Sequence, residues 1–172
     1  YQLDRGRFEN ALAEYCEKLG VKLISESRVV DFKLARNDQL VHFEKAGEKL
    51  SLRAKWLVDA SGRASLFKRK LALKKKVRHN INAAWFRIAA KISVDDWSKN
   101  TEWQQRNEQS RYLSTNHLYG KGYWTWLIPL SSGSTSIGIV ADERFHSFKS
   151  INTFEKAREW LKKHEPQCSA MV

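Results

Sequence analysis

The sequence has 172 residues, of which 42% are hydrophobic and 29% charged, and its formal net charge is +12 at pH 7. This composition is typical of a globular chain that forms one domain or parts of two, and it excludes a disordered polypeptide. No apolar run approaches the roughly 18 residues of a membrane-spanning helix. Because the polar start carries neither a signal peptide nor a methionine, we expect an internal piece of a longer cytoplasmic protein.

The cysteines and the positive charge are the next features of the composition. Cys16 and Cys168 lie far apart and match no ligand spacing, which predicts free thiols and neither a disulfide nor a metal site. Much of the charge falls within residues 68–79. Such a run is typical of a solvated connector, although it would also suit phosphates or an acidic partner.

A helix and a small antiparallel meander are predicted for the first part of the chain. Asp4 is placed to cap the helix and Gly20 to end it, around apolar residues at helical spacing: Phe8, Leu12, Tyr15 and Leu19. Strands are then expected at 21–24, 29–34, 40–44 and 49–53, with turn residues between the last three.

A continuously apolar segment over residues 56–60 predicts a strand that is buried on both faces. It ends in Asp59-Ala60-Ser61-Gly62, and a short helix is expected over 64–71. Small residues at the end of a buried strand allow a ligand to approach the backbone closely, so these four residues are candidates for contact with a dinucleotide. Many strand ends share the pattern, which by itself favours an ordinary structural role.

A mostly antiparallel sheet is predicted for the second part of the chain. Strands are expected at 83–92, 112–118, 123–130 and 134–140, with partly helical structure at 95–109. An amphipathic helix is expected from Phe154 to Leu161, ending near Pro166.

Two further places are candidate ligand-binding sites. Residues two apart on a strand share a face, so Trp124 and Trp126 should stand side by side and form a wall for a flat aromatic group, unless they pack in a core. Arg5 lies at the start of the first helix, where an anion such as a pyrophosphate is favoured, although a surface arginine is the simpler interpretation. No nucleophile or acid–base set is evident.

These places, taken in order, resemble the flavin-dependent halogenases and their monooxygenase relatives. The opening through Arg5 and Phe8 is similar to the family's Val-Asp-Arg-x-x-Phe-Asp segment, and Val29 corresponds to a valine whose backbone meets the adenine of FAD. Asp59-Ala60-Ser61-Gly62 resembles the segment beside the cofactor. Trp124, Trp126, Ile128 and Pro129 match the Trp-x-Trp-x-Ile-Pro signature, which in the family shapes the substrate pocket and separates substrate from flavin.

The resemblance implies an α+β fold in two parts. Residues 1–75 would belong to an FAD-binding domain of the p-hydroxybenzoate hydroxylase type, and 76–172 to a mostly antiparallel substrate-binding domain. Reduced FAD, supplied by a separate flavin reductase, would use oxygen to oxidise a halide. A relay lysine would then pass the halogen to a small aromatic substrate, free or tethered to a carrier protein. That lysine corresponds to a position upstream of this chain, so we expect no catalytic residue here and an inactive fragment.

Three alternatives remain open at this stage. Geranylgeranyl reductases carry a related aromatic segment, but Ile128 and the residues after Gly138 depart from their pattern. A simple aromatic hydroxylase would share the same motifs. A basic nucleic-acid-binding module is the least favoured, because the tryptophans fall in predicted strands and not among the basic residues.

Overall fold

The computed structural model describes residues 2–172, and these form two compact units with helices and antiparallel sheets. We call residues 11–77 the meander unit; residues up to Asn10 together with 78–172 form the sheet unit. The mixture of helices and antiparallel strands agrees with the predicted α+β class at this coarse level.

Helix α1 (Arg5–Lys18) begins at the predicted cap. The carboxylate of Asp4 accepts a hydrogen bond from the backbone N–H of Gly6, and the same carboxylate pairs with Arg87 on the sheet. Asp4 therefore satisfies a free N–H group at the start of the helix and ties that start to a strand of its own unit.

The meander unit contains the predicted three-stranded sheet. Strands β1 (Ser27–Lys33), β2 (Gln39–Lys45) and β3 (Glu48–Ala54) pair antiparallel in chain order. Phe32 and Phe43 are buried on one face of the sheet. The ring of Phe67, from the short helix α2 (Leu66–Lys70), lies 4.4 Å from the ring of Phe32 and covers that face.

Two predicted strands of the meander unit are absent. Residues 21–24 and 56–60 have no regular secondary structure, and the side chains of Trp56 and Val58 are 87% and 82% exposed. The prediction of a doubly buried strand was therefore wrong for this chain. A strand exists only where another strand supplies hydrogen bonds, and no described residue does so for either segment. An apolar run records a tendency to be buried but not the neighbour that buries it.

The sheet unit is built on four antiparallel strands in the order β4-β7-β6-β5. Their bounds are β4 (Ile81–Ile88), β5 (Asn116–Gly120), β6 (Tyr123–Pro129) and β7 (Thr135–Asp142), with helix α3 (Thr101–Gln105) between β4 and β5. The four predicted strands exist, but β4 ends before residue 92 and β5 starts after residue 112. A turn of 3-10 helix over Arg111–Leu113 occupies the place predicted for the start of β5.

One face of this sheet carries the core of the unit. Ile137 and Ile139 of β7 are fully buried and belong to one apolar cluster with Trp160 and Leu161 of helix α4 (Phe154–His164). Thr153 caps α4 by accepting the N–H of Lys156. The helix ends near the predicted place, but Pro166 opens a further short helix, α5 (Pro166–Ser169), because proline is well accommodated at a first helical position.

A cluster of aromatic rings joins α4 to the strand β6. It consists of Tyr123, His146, Trp160 and His164, with ring centroids 4.5 to 5.7 Å apart. The Trp160 indole N–H donates to Nδ1 of His146 at 3.3 Å, and Nε2 of His146 lies 2.9 Å from the carbonyl oxygen of Lys121. These two contacts hold the His146 ring in place between Trp160 and the backbone at Lys121. The hydroxyl of Tyr123 donates to Glu165 Oε1 at 2.7 Å, and burial together with this carboxylate raises the pKa of Tyr123 to about 12.

This cluster should weaken in acid. Burial lowers the pKa of His164 below its usual 6.5, and the positive potential of His146 and Lys163 adds to the effect. The unfolded chain therefore binds a proton on His164 at a higher pH than the folded chain does. The free energy of unfolding should fall as the pH decreases through 6.5, and the full contribution should be present above that pH.

A His164→Phe variant tests this origin, because it keeps a ring against Trp160 and removes the titrating group. Denaturant unfolding at pH 7.5, 6.5 and 5.5 should show a flatter pH dependence for this variant than for the natural chain. Equal slopes for the natural chain and His164→Phe would contradict the assignment.

Candidate functional site

The strand β6 carries the tryptophans singled out by the sequence. Thr125 and Leu127 are fully buried toward the core, so the alternation of the strand directs Trp124 and Trp126 to the opposite face. Their ring centroids lie 5.7 Å apart with an interplanar angle of 48°. The prediction that the two indoles stand side by side is confirmed.

Neighbouring strands extend this face with further aromatic residues. His117 of β5 pairs directly with Trp126, and Tyr119 pairs with Trp124. On the other side Trp126 pairs with Gly138 of β7, and Gly138 pairs in turn with Trp85 of β4. Directly paired residues of antiparallel strands share a face. We name the resulting surface the open aromatic face: Trp85, His117, Tyr119, Trp124 and Trp126.

The open aromatic face is accessible in this chain. Tyr119 is 83% exposed, Trp85 61% and Trp124 39%. Rings that could bury large apolar areas are thus left partly in solvent on a rigid, hydrogen-bonded sheet. This is the kind of surface that accepts a flat aromatic group by stacking and edge contact.

Gly138 positions the indole of Trp126 and was not recognised as a site residue from the sequence. A Cβ atom placed on Gly138 would overlap the six-membered ring of that indole. The indole N–H donates to the hydroxyl of Ser136, two residues before Gly138 on β7, at 3.3 Å. Trp126 therefore lies flat over β7, and only glycine leaves room for it there. The signal lies in the strand register, which a single sequence does not contain.

An ion pair lies at the edge of the open aromatic face. Arg87 of β4 donates to Asp4 at 3.2 Å, and the Asp4 side chain is 11% exposed. Partial burial works against ionisation of Asp4, but hydrogen bonds from Ser132, Arg87 and Gly6 and the charge of Arg87 together lower its pKa. Asp4 is therefore ionised at neutral pH and tethers the chain before α1 to the sheet.

Arg5 follows as the first residue of α1. Its guanidinium pairs with Glu9 one turn along the helix, and its side chain is 83% exposed. The position agrees with the predicted location at the helix start. In this chain, however, the charge is matched by a carboxylate, so an anion would have to displace Glu9 or share the arginine with it.

A cavity of about 720 Å³ lies in the sheet unit beside the end of β6. Of the Trp-x-Trp-x-Ile-Pro segment, the buried Pro129 lines this cavity. Ile128 lies on the same face of β6 as the two tryptophans, because residues two apart on a strand share a face. The other walls of the cavity mix amide, hydroxyl and apolar groups, and they include Gln2, Leu3, Gln109, Tyr112 and Leu113. The ammonium of Lys91 lies 4.2 Å from the centre of the Tyr112 ring.

In the meander unit, Asp59 organises the predicted cofactor segment. Its carboxylate accepts the backbone N–H of Ser61 at 2.9 Å and that of Phe67 at 2.8 Å. A hydrogen bond from the Ser61 side chain lowers the pKa of Asp59 most, and the backbone bonds from Phe67 and Ser61 lower it further. Both oxygens of Asp59 therefore hold the turn that leads into α2, and Ala60, Ser61 and Gly62 form its outer part.

Gly62 and Val29 are the remaining candidates for contact with a cofactor. Gly62 has a φ of +57°, a conformation that glycine tolerates best, and a Cβ placed there would meet nothing within 4 Å. Val29 lies in β1 opposite Phe43, next to an irregularity in the pairing of β1 with β2, and its side chain is 38% exposed.

Metal and membrane sites are not evident in the part of the chain that the structure describes. Within residues 2–172 no group of three or more histidine, cysteine, aspartate or glutamate side chains is arranged to hold a metal ion. No helix in that range is long and apolar enough to cross a bilayer. Both cysteines are free thiols, and burial raises the pKa of Cys168 to about 12.

Comparison with known proteins decides the family. The sequence profile of the tryptophan halogenases matches residues 1–170. The chain belongs to the tryptophan halogenase family. It is 25% identical over 166 residues to the 1H-pyrrole-2-carbonyl-[peptidyl-carrier protein] chlorinase of Pseudomonas fluorescens, which covers 96% of this chain and 36% of that protein. It is 28% identical over 163 residues to the flavin-dependent halogenase chlA of Dictyostelium discoideum, covering 87% of this chain and 24% of that protein.

Solved structures share the fold of this halogenase-family chain. A flavoprotein/dehydrogenase from Cytophaga hutchinsonii superposes with a TM-score of 0.73 at 22% identity, over 99% of this chain and 39% of that one. The halogenase PltM, solved with phloroglucinol and FAD, also gives a TM-score of 0.73, at 17% identity over 92% of this chain and 32% of that one. The chain thus spans about a third of the length of the relatives it matches. Family membership favours neither the geranylgeranyl reductase nor the nucleic-acid-binding alternative.

Proposed function

We propose that this chain is part of an FAD-dependent halogenase or monooxygenase that acts on an electron-rich aromatic substrate. The observation that carries the proposal is the open aromatic face, found in a member of the halogenase family. Electron-rich rings such as pyrroles and phenols present flat faces and polarised edges, and both interact favourably with indole rings. Membership in the family supports the reaction class, and the open aromatic face supports the class of substrate.

In this proposal the tryptophans act by shape and by keeping the substrate apart from the flavin. Trp126, held against Gly138, is the rigid part of the wall, and Trp124 beside it is the more exposed part. Together with Ile128 and Pro129 they would separate the aromatic substrate from the flavin and so suppress direct hydroxylation. A fixed wall costs less ordering entropy on binding than a mobile one, which favours recognition by position.

The residues around Gly62 fit a bound FAD. The open space at Gly62 and its positive φ leave the backbone accessible to a close ligand, while Asp59 keeps the turn in place from within. We assign Ala60, Ser61 and Gly62 to contact with the cofactor, Val29 to the adenine and Arg5 to the pyrophosphate. When bound, FAD would supply the redox chemistry that oxidises a halide with oxygen, after reduction by a separate flavin reductase. These residues would bind and orient it.

The chain by itself should not complete the reaction. We propose that the relay lysine and the glycine-rich FAD fingerprint lie upstream in the complete, cytoplasmic protein, and no residue of this chain is assigned a catalytic role. The domain assignment follows: residues 1–75 would contribute to the FAD-binding domain and 76–172 to the substrate-binding domain. Titration of the purified chain with FAD should therefore show no tight binding, and submicromolar affinity would contradict this assignment.

Two relatives indicate the range of substrates to test. One acts on a pyrrole carried by a peptidyl carrier protein, and another was solved with phloroglucinol, a small phenol. The full-length protein, supplied with FAD, a flavin reductase, NADH, oxygen and bromide, should convert at least one of these substrates to a brominated product detectable by mass spectrometry. Product that forms equally well without halide would identify a hydroxylase. No product from either substrate would contradict the proposal.

A pair of substitutions tests the open aromatic face in the same assay. Trp124→Ala removes a partly exposed ring, and we expect kcat/KM to fall by about fivefold, since an aromatic contact contributes roughly 1 kcal/mol and 1.4 kcal/mol corresponds to a factor of ten. Phe145→Ala is the matched control, because it removes an exposed ring of the same unit that lies outside the open aromatic face. Equal losses in both variants would argue against a role for the face.

A further inference from the structure

The segment after the cofactor turn has an unusual charge. From Ala60 to Val94 the sequence contains no aspartate or glutamate. Within the meander unit this stretch carries a set of cationic side chains that we name the basic segment: Arg63, Lys68, Arg69, Lys70, Lys74, Lys75 and Lys76. All of these residues are exposed.

One cation of the basic segment has a structural task. Lys70 pairs with Asp31 and the carbonyl oxygen of Phe32 on β1, and its ammonium lies 4.6 Å from the centre of the Phe32 ring. The other members form no ion pair with a described residue. Stability of the meander unit therefore explains Lys70, but it does not explain why Lys68, Arg69 and 74–76 are cationic.

The end of helix α2 sets the backbone conformation from which the lysine run begins. The N–H of Leu73 donates to the carbonyl oxygen of Lys68 at 3.0 Å, and that of Ala72 donates to Arg69 at 3.4 Å. Ala72 has a φ of +53°, so these bonds form a Schellman termination with alanine where glycine is usual. Lys74–Lys76 follow directly after this turn. The hydrogen bonds of the turn fix the backbone just before them, while their side chains lie in solvent.

Apolar side chains accompany the lysines. Leu71, Leu73 and Val77 are 41%, 59% and 62% exposed and flank the charged positions. A surface that combines exposed aliphatic groups with cations is typical of a protein interface in which apolar contacts are surrounded by complementary charge. We propose that the basic segment is the docking surface for an acidic carrier domain that delivers a tethered aromatic substrate.

This inference rests on the proposed function, and two observations favour a carrier domain as the occupant. Two relatives of this chain act on pyrrole attached to a peptidyl carrier protein, so a protein-borne substrate occurs within the family. Charge complementarity then selects a carrier whose docking face is acidic. Opposite charges raise the rate of encounter and orient the partners, which suits a transient delivery complex.

Nucleic acid and membrane are less well matched to the basic segment. Single-stranded nucleic acid is bound by exposed aromatic rings between the cations, but Phe67, the one aromatic residue of 60–80, packs against Phe32. A segment that inserts apolar side chains into a membrane surface is usually an amphipathic helix. Helix α2 ends at Lys70, and the structure describes 73–77 as non-helical.

The test measures binding of the chain to a fluorescently labelled peptidyl carrier protein with an acidic surface, charged with pyrrole-2-carboxylate. Binding should weaken by about tenfold or more between 50 and 200 mM salt, because charges on an exposed surface are screened over about 8 Å at physiological salt. The variant Lys74→Glu/Lys75→Glu/Lys76→Glu should weaken it at least tenfold at low salt. Lys99→Glu/Arg106→Glu/Lys162→Glu is the matched control, with the same change in net charge at exposed positions outside the basic segment, and it should change binding less than threefold.

Two results would overturn the docking of a carrier on the basic segment. Equal losses in the two triple variants would mean that net charge alone attracts the carrier. Binding to duplex DNA, heparin or phosphatidylserine vesicles that is tighter than binding to the carrier, and that is lost in the 74–76 variant, would assign the segment to those partners instead. Circular dichroism must show that both variants fold.

The same variants in the full-length protein separate this inference from the proposed function. With the carrier-tethered pyrrole, KM should rise at least tenfold in the 74–76 variant while kcat is retained, and turnover of a free phenol should be unchanged. If neither substrate is halogenated by the natural enzyme, the proposed function fails, whereas the binding measurement still decides the docking surface. An unchanged KM for the tethered substrate would contradict the docking role.

Discussion

Replacement of Gly138 by alanine is expected to displace Trp126 and to destabilise the sheet unit by about 1–3 kcal/mol, the usual cost of inserting a methyl group into a packed site. The new Cβ would overlap the indole ring, and the indole cannot withdraw without losing its hydrogen bond to Ser136. Alanine also lowers the conformational entropy of the unfolded chain, which raises the free energy of unfolding by less than about 1 kcal/mol. The net effect should therefore remain a loss of stability.

Urea unfolding monitored by tryptophan fluorescence measures the effect of the Gly138 substitution. Gly6→Ala, in helix α1, is the matched control, since its added Cβ would lie at an ordinary contact distance of 3.7 Å from the Asp4 side chain. A double variant, Gly138→Ala with Trp126→Leu, should lose less stability than the sum of the single changes, because the smaller side chain removes the overlap. Strict additivity would show that the two residues do not interact.

The same substitution should affect function in the full-length enzyme. If the open aromatic face holds the substrate, Gly138→Ala should lower kcat/KM for an aromatic substrate by at least as much as Trp124→Ala. A variant that unfolds more easily but keeps full kcat/KM below its melting temperature would separate the structural role of Gly138 from the functional one.

Truncation of Leu161 should produce the largest loss of stability in the sheet unit. Leu161 is fully buried in α4, in the same cluster as Ile137, Ile139 and Trp160. Leucine-to-alanine changes at such sites cost about 2–5 kcal/mol, because apolar contacts are lost and a cavity remains. That is a large part of the stability of an ordinary domain.

Chemical denaturation of Leu161→Ala checks this expectation. Leu113→Ala is the control, because Leu113 is 67% exposed and the same truncation there removes little buried area. A loss below about 1 kcal/mol at Leu161 would mean that α4 does not form the core of this unit as the structure describes it.

Parts of the fold with local signals were predictable. Asp4 and Gly20 predicted the ends of the first helix, and the turn residues at 37–38 and 46–47 predicted the meander, because these features depend on neighbours within a few positions. The alternation around Trp124 and Trp126 likewise follows from the two-residue repeat of a strand, and the structure confirms it.

The failures share a different cause. Residues 56–60 have the composition of a buried strand, yet Trp56 is almost fully exposed, since burial requires a partner that the segment itself does not supply. The predicted helix end near Pro166 is confirmed, since α4 ends at His164, but the short helix α5 that Pro166 opens was not predicted. For residues 56–60 the pattern records a preference that distant residues decide.

The sequence by itself determined the class of fold, the helix ends, the turns and the pair of tryptophans on β6, because each depends on local geometry or a short repeat. Only the tertiary structure decided that β7 lies between β4 and β6. That register places Gly138 between Trp85 and Trp126 and adds His117 and Tyr119 to the same surface. The reason is physical: hydrogen bonds between strands join residues far apart in the chain, and the energy that selects one register comes from packing of the whole sheet.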